Sequence, residues 1–424
     1  MIKLSRRSFT GLVGAAGAVA LAGGLSACTS GPRVVVVGGG FGGANAAKYL
    51  KRYDPTLDVT LIEAAPTHFT CPFSNTVIAG LNDISYIERK FDKLANLYGI
   101  KVHTDTVVGI DAATKVVKTA GGRSFEYDRL VLSPGIDFKW NAIEGYDEAA
   151  AQVMPHAWKA GAQTTLLRRQ LEAMDNGGLV VIAAPGNPFR CPPGPYERAS
   201  LIANYIKRHK PKSKLLILDA KDAFAKDRLF KEGWEKAYDD IIEWVPAAKN
   251  GKVTKVNAKD GSVETDFEKF KPAVANIIPP QTAGHIALTA GLADKSGFCP
   301  VDPNTFESTL AKNVHIIGDA AIAGAMPKSA FSASSQAKVC AAAIVALFKG
   351  EKPLPLSAIN TCYSLVAPDY GISVAAVFEV KDGQIATVPR SGGVSPLGAS
   401  YQFRKKESDF ASGWYQSICQ DTWA

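Results

Sequence analysis

Two kinds of residue in this chain have types and spacing suited to chemistry. The first is the run Gly38-x-Gly40-x-x-Gly43, followed by Glu63 twenty residues beyond the last glycine. Glycines at this spacing permit a tight turn, the close approach of a pyrophosphate, and close packing of a helix on the preceding strand. The acid stands where a ribose hydroxyl needs an acceptor. The second is cysteine, at positions 28, 71, 191, 299, 340, 362 and 419, with no CxxC pair and no CxxCH. That spacing excludes a haem attached to this chain and a zinc ribbon. The histidines at 68, 103, 156, 209, 285 and 315 form no spaced cluster, so no metal site is expected.

The elements around the glycines have the matching pattern. Val34 to Val37 is a continuous β-branched run, the signature of a buried parallel strand. Ala44 to Arg52 continues as a helix whose N-terminus offers free N–H groups to phosphate, and Val59 to Ile62 is the next strand. Thr67 to Gly80 reads as a loop, Arg89 to Tyr98 as a helix and Val102 to Val108 as a strand. Thr114 to Thr119 with Phe125 to Tyr127 reads as a hairpin, and Leu130 to Gly135 as a buried strand ending in a turn. From Gly177 to Asp219 the strand-helix-strand-acid logic repeats, with strands Leu179 to Ala183 and Leu215 to Leu218 and a helix Tyr196 to His209. Its turn, Ala184 to Pro195, carries prolines instead of the glycine pattern. Proline has no N–H and a fixed φ, so this turn is unsuited to a pyrophosphate, which argues against NAD(P)H as electron donor. Val314 to Ile317 is a further buried strand before Gly318-Asp319-Ala320, and Ser332 to Leu347 is helical. The C-terminal part holds Cys362, a hairpin turning at Lys381-Asp382-Gly383, and an aromatic tail with Trp414, Tyr415 and Trp423.

At 424 residues the chain is long enough for two or three cores. Its formal charge of +8 falls to +5 once Lys3, Arg6 and Arg7 of the leader are set aside, and no like-charge block remains, so nucleic acid is not an expected partner. The leader, Ser5-Arg6-Arg7-Ser8-Phe9 before an apolar run from Gly11 to Leu25, reads as a twin-arginine export signal over residues 1–28, which places the mature chain in the periplasm. Leu25-Ser26-Ala27-Cys28 resembles a lipoprotein cleavage box, so membrane attachment is expected only if Cys28 is lipidated. No later run reaches the roughly 18 apolar residues of a spanning helix.

With the glycine loop, Ser133-Pro134-Gly135 and Gly318-Asp319 in place, the chain resembles the two-dinucleotide-domain flavoproteins. Within them it resembles the flavoprotein subunit of flavocytochrome c sulfide dehydrogenase. The motifs are Thr70-Cys71-Pro72-Phe73-Ser74-Asn75, Cys191-Pro192-Pro193-Gly194-Pro195-Tyr196-Glu197-Arg198, Gly318-Asp319-Ala320, Met326-Pro327-Lys328-Ser329, Asn360-Thr361-Cys362-Tyr363-Ser364 and Tyr370-Gly371-Ile372-Ser373. The implied fold is α/β, with two Rossmann-like dinucleotide-binding domains of the glutathione-reductase-like kind and a C-terminal interface domain. The FAD-binding domain would cover 29–148 and 265–350, a degenerate NAD(P)-type domain 149–264, and the C-terminal domain 351–424. The resemblance implies FAD linked covalently through Cys71 and a redox-active pair Cys191–Cys362, with Cys340 as the rival partner of Cys191. It implies Glu197 as a proton acceptor, Gly38, Gly40, Gly43, Glu63, Ser133, Gly135, Gly318 and Asp319 around the cofactor, Lys328 compensating charge on the reduced flavin, and Trp414 over the pocket or packed in the tail. Sulfide would be oxidised to sulfur or polysulfide, and a c-type cytochrome subunit would take the electrons. A sulfide:quinone oxidoreductase is the alternative, and a non-catalytic persulfide carrier or docking flavoprotein a further one.

Overall fold

A computed structural model describes residues 31–424; the expected export signal and Cys28 lie outside the described residues. The first unit is built on a five-stranded parallel sheet in the order Val314–Ile316, Arg129–Leu132, Arg33–Val37, Asp58–Glu63, Lys101–Thr104. Both of its faces are covered. Val34 and Val36 pack against the helices Gly43–Tyr53 and Ala330–Phe348, while Val35 and Val37 pack with Val117, Leu130 and Phe298. Alternate residues therefore enter two different cores, which is why the strand is apolar without interruption.

The second unit has a four-stranded parallel sheet in the order Ile242–Val245, Lys214–Asp219, Leu179–Ala184, Val274–Ile277, with the helix Gly194–His209 against it. Because Val274–Ile277 pairs with Leu179–Ala184, this unit extends past the expected boundary at 264. The third part is an antiparallel sheet of Ser357–Ala367, Tyr370–Lys381 and Gln384–Thr387, with Gly393–Val394 added to the middle strand. The helix Tyr401–Trp423 then returns to the first unit. There Asn45 Nδ2 donates to Thr422 Oγ1 at 2.7 Å, and Trp423 Nε1 donates to the Gly39 carbonyl at 3.1 Å.

Four local expectations change. The expected loop Thr67 to Gly80 contains a short strand, Thr67–Phe69, and a helical turn, Ser74–Ile78. Val102 to Val108 is two strands serving different sheets, Lys101–Thr104 and Val107–Asp111. Arg89 to Tyr98 begins in a strand, Glu88–Lys90, and turns helical only at Asp92. The helix Ala330–Phe348 is long and apolar enough to cross a membrane (mean hydropathy 1.4), contrary to the expectation that no later run would be. More than half of that window (56%) is buried inside the protein, in the core it forms with the helix Gly43–Tyr53.

Candidate active site

A cavity of about 1020 Å³ runs between the three parts. At one end is the glycine loop. Gly38 has φ +97°, and a Cβ there would lie 2.3 Å from the Ser133 carbonyl oxygen. A Cβ on Gly43 would lie 1.8 Å from the Gly38 carbonyl oxygen, so Gly43 serves helix-on-strand packing and stands behind the cavity wall. Gly38, Gly40, Ser133, Gly135 and Glu63 line the cavity, and Glu63 Oε2 accepts from the Gly39 N–H.

Gly318 and Asp319 line the middle of the cavity. Asp319 Oδ1 is buried with no partner, and Oδ2 lies 3.8 Å from Arg190 Nη1. Burial pushes this carboxyl up, against the pull of Arg190 and Lys328. Trp414 also lines the cavity, stacked on Phe331 at 6.2 Å, and its buried Nε1 likewise has no partner. A buried acceptor and a buried donor left unsatisfied at a cavity wall are unfavourable unless a ligand completes them. With the glycine cradle at one end, they fit a flavin dinucleotide.

Lys328 departs from expectation. Its Nζ donates to the carbonyls of Asp319 (2.7 Å) and Ala321 (2.9 Å), sits 3.8 Å from the Phe298 ring centroid, and does not line the cavity. Burial brings its pKa to about 8. The backbone of Lys328 serves the site instead, its carbonyl accepting the Cys191 N–H at 2.8 Å. The cationic side chains that line the cavity are Lys159, Arg190 and Arg198.

Cys71, Cys191 and Cys362 all line the same cavity, one from each part of the fold. Cys191 is held in a left-handed conformation (φ 57°), just before the helix Gly194–His209. A non-glycine residue in that region is strained, and such strain concentrates at functional sites. All six described cysteines are free thiols, so the expected Cys191–Cys362 bond is not formed in this structure. The Cys191 side chain is hydrogen-bonded with Cys71 instead, while Cys362 Sγ lies 3.4 Å from Asn360 Nδ2. The hydrogen bond with Cys191 draws the Cys71 thiol down to about 6, with Arg190 and Arg198 adding to the effect against burial; the same bond pushes Cys191 up. Cys340 is buried in the core of the helix Ala330–Phe348, away from the cavity, and burial pushes its thiol up. Nothing there brings it to Cys191. Cys299 and Cys419 are buried in cores as well.

Glu197 lines the cavity and joins the cysteine-bearing elements. Its Oε2 accepts from Asn75 Nδ2 and its Oε1 from the Leu365 N–H, each at 2.8 Å. Burial raises its pKa, and those two bonds oppose the rise.

Three residues of the site escaped the sequence reading. Arg198 is fully buried; it donates to Asn75 Oδ1 (3.0 Å), Asn276 Oδ1 (2.9 Å) and the carbonyls of His156 (3.0 Å) and Ala157 (2.6 Å). Arg190 and Asn75 are the others. Asn75 and Arg198 close motifs already singled out and Arg190 precedes one, but only the fold turns them inward. Among the described residues no cluster is arranged to hold a metal.

The second unit keeps the acid of a dinucleotide site but not its availability. Asp219 ends the second strand, fully buried. It accepts from Tyr196 OH (2.6 Å), Trp244 Nε1 (2.9 Å) and Lys221 Nζ (2.6 Å), beneath a Tyr196–Phe224 stack with centroids 3.6 Å apart. Where a ribose would dock, the chain supplies its own donors.

Three family models match. "Pyridine nucleotide-disulphide oxidoreductase" matches residues 32–174, "Sulfide dehydrogenase [flavocytochrome c] flavoprotein chain, central" 164–279, and "Flavocytochrome c sulphide dehydrogenase, flavin-binding" 355–423. Mitochondrial sulfide:quinone oxidoreductase of Mus musculus is 23% identical over 377 residues, covering 84% of this chain and 80% of its own. The flavoprotein chain of flavocytochrome c sulfide dehydrogenase from Chlorobaculum thiosulfatiphilum is 64% identical over 45 residues, 11% of this chain and 94% of that sequence. The solved sulfide:quinone oxidoreductase of Aquifex aeolicus superimposes with a TM-score of 0.71 at 18% identity, covering 92% of both chains. Cavity, flavin-binding segment and relatives agree in supporting an FAD-dependent, sulfide-oxidising flavoprotein oxidoreductase.

Proposed function

We propose that the chain is a periplasmic sulfide dehydrogenase that passes electrons from a cysteine pair through FAD to a c-type cytochrome. The observation that carries this reading is that the segments bearing Cys191 and Cys362 both fall in flavocytochrome c sulfide dehydrogenase models, while both cysteines line one cavity. The glycine loop and Glu63 hold the adenosine and phosphate part of the cofactor, and Asp319 Oδ1 accepts from its ribityl hydroxyls. Cys71, drawn toward the thiolate form, attaches the flavin covalently. Bound flavin supplies a two-electron acceptor that can release its electrons singly.

The chain's own residues handle sulfide. With Cys191 and Cys362 joined as a disulfide, hydrosulfide attacks one sulfur and the S–S bond breaks, leaving one cysteine as a persulfide and the other as a thiolate. A second hydrosulfide takes the outer sulfur away as hydrogen disulfide. The resulting dithiol returns to the disulfide by giving up two electrons and two protons. Glu197, poised between Asn75 and Leu365, accepts a proton as the sulfur anions form.

The quinone alternative has a specific observation behind it, since the relatives aligned over most of the chain are sulfide:quinone oxidoreductases. Turnover with sulfide, using either oxidised cytochrome c or a soluble quinone, separates the two. Cytochrome reduction without quinone reduction supports the proposal; the reverse result overturns it. The twin-arginine pattern at Arg6-Arg7 supports a periplasmic location for the reaction.

A further inference from the structure

Behind the wall that carries Cys362 sits a half-buried cation that the mechanism has not used. Lys226 takes a left-handed conformation (φ 63°) where the helix Asp227–Ala237 begins. Its Nζ donates to Ser364 Oγ at 2.8 Å. Ser364 is two residues from Cys362 in the strand Ser357–Ala367, so the two side chains project to the same side, and both line the cavity. The next residue, Leu365, donates its N–H to Glu197. One stretch of strand is thus gripped by a lysine and a glutamate, both from the second unit, beside a reactive cysteine. The charges of Cys362, Glu197, Cys191 and Glu407 act on Lys226, and the Phe230 ring lies 5.9 Å away. Burial lowers the lysine's pKa, while these four groups hold it up. No other cation is hydrogen-bonded to the Cys362 strand among the described residues; Arg190 and Arg198 belong to the Cys191 and Cys71 side.

We infer that Lys226 is a positioning residue for the sulfide reaction: its ammonium, anchored through Ser364, draws hydrosulfide to Cys362 and holds the negative charge that develops there. The inference rests on the proposed sulfide reaction and assigns its direction. Cys191 is hydrogen-bonded with Cys71, the proposed flavin attachment, so Cys191 stands on the cofactor side, while Cys362 stands on the strand held by Lys226 and Glu197. Hydrosulfide therefore attacks Cys362 Sγ. The bond to Cys191 breaks, Cys191 leaves as a thiolate, and Cys362 carries the persulfide. The persulfide proton passes to the Glu197 carboxylate, leaving a persulfide anion opposite the Lys226 ammonium. Atoms and electrons balance without any further reactant.

The test is anaerobic stopped-flow bleaching of the flavin by sulfide in the wild-type holoprotein and in Lys226→Met, Lys226→Gln, Lys226→Arg and Ser364→Ala. Removing the charge should lower the second-order rate constant about tenfold, the effect of about one pKa unit of charge interaction. Lys226→Arg should restore most of the rate. Ser364→Ala, which keeps the cation, should stay within about twofold of wild type. Dithionite should bleach all five proteins alike. Should Lys226→Met not load flavin, Lys226→Gln, which retains a donor for Ser364, decides the matter. A neutral variant that reacts with sulfide as fast as wild type, or a Ser364→Ala variant as slow as Lys226→Gln, overturns the inference. If sulfide fails to bleach even the wild-type flavin, the proposed function is what fails. The ammonium is then read directly in the reduced protein, by comparing alkylation of Cys362 with iodoacetate and iodoacetamide. A preference for the anionic reagent that disappears in Lys226→Gln upholds the role, and no preference overturns it.

Discussion

The strand-turn-helix-strand unit ending at Glu63 and the one ending at Asp219 share one plan and have opposite uses. Each has a buried parallel strand, a turn, a helix and an acid closing the second strand. In the first, the turn is glycine, and the acid stands in the wall of a large cavity. In the second, the turn is proline-rich and positions Cys191, and the acid is consumed by Tyr196, Trp244 and Lys221. The difference teaches that a dinucleotide fold is defined by its strands, while its ligand is decided by whether the turn exposes N–H groups and whether the acid reaches a cavity.

The comparison breaks most decisively at Cys191, the residue the second turn positions in place of phosphate-binding N–H groups. Cys191→Ser should abolish flavin reduction by sulfide while leaving dithionite reduction intact, as read by anaerobic absorbance. Residual sulfide reduction at more than about a thousandth of the wild-type rate would remove the cysteine pair from the mechanism. Next is the contrast between glycines. Gly43→Ala forces a Cβ to within 1.8 Å of the Gly38 carbonyl oxygen, whereas a Cβ on Gly186 in the second turn meets nothing within 4 Å. Gly43→Ala should lose about 1–3 kcal/mol of stability and most of its flavin, and Gly186→Ala should lose neither; the flavin-to-protein absorbance ratio and a denaturant titration check both.

The two buried acids sharpen the contrast. Asp219→Asn disturbs an acceptor of several hydrogen bonds and should cost about 1–3 kcal/mol without creating any NADH oxidation. Asp319→Asn removes the charge from a carboxyl with an unpartnered oxygen. It should leave apoprotein stability equal or higher and lower flavin loading. Equal losses of stability in the two variants would contradict the account. The smallest effect is on pH, where the units should behave alike. Burial holds His156, behind the second unit, down to about 3, and likewise depresses His315 in the first. Below about pH 6.5 the unfolded chain binds protons that the folded chain refuses, so stability should fall as pH drops, by up to about 1.4 kcal/mol per pH unit for each histidine. Unfolding titrations between about pH 6.5 and 5 in wild type and His156→Gln would check the slope, which should be shallower in the variant.

Much of this architecture was legible beforehand, for physical reasons. Val34 to Val37 is apolar on both faces because both faces are covered, and Gly43 is glycine because a carbonyl stands where its Cβ would be. The proline turn announced a second unit unfit for phosphate. What escaped depends on long-range approach. Lys328 lies in a recognisable motif, yet its ammonium turns to two carbonyls behind the cavity. Arg198 carries its charge wholly inside, and Arg404 is likewise buried, against Glu407 at 3.2 Å. The helix at Ser74–Ile78 forms from a segment with turn composition because it is packed between neighbours, all five of its residues being buried. No local pattern encodes which charge will find a partner inside.

The most direct test of the central claim is an anaerobic titration of the purified holoprotein, first with NADH and then with sulfide, followed at the flavin band. The account predicts no bleaching with NADH and full bleaching with sulfide. Bleaching by NADH would show that the second unit still binds a nicotinamide, and a flavin left oxidised by sulfide would contradict the assigned chemistry.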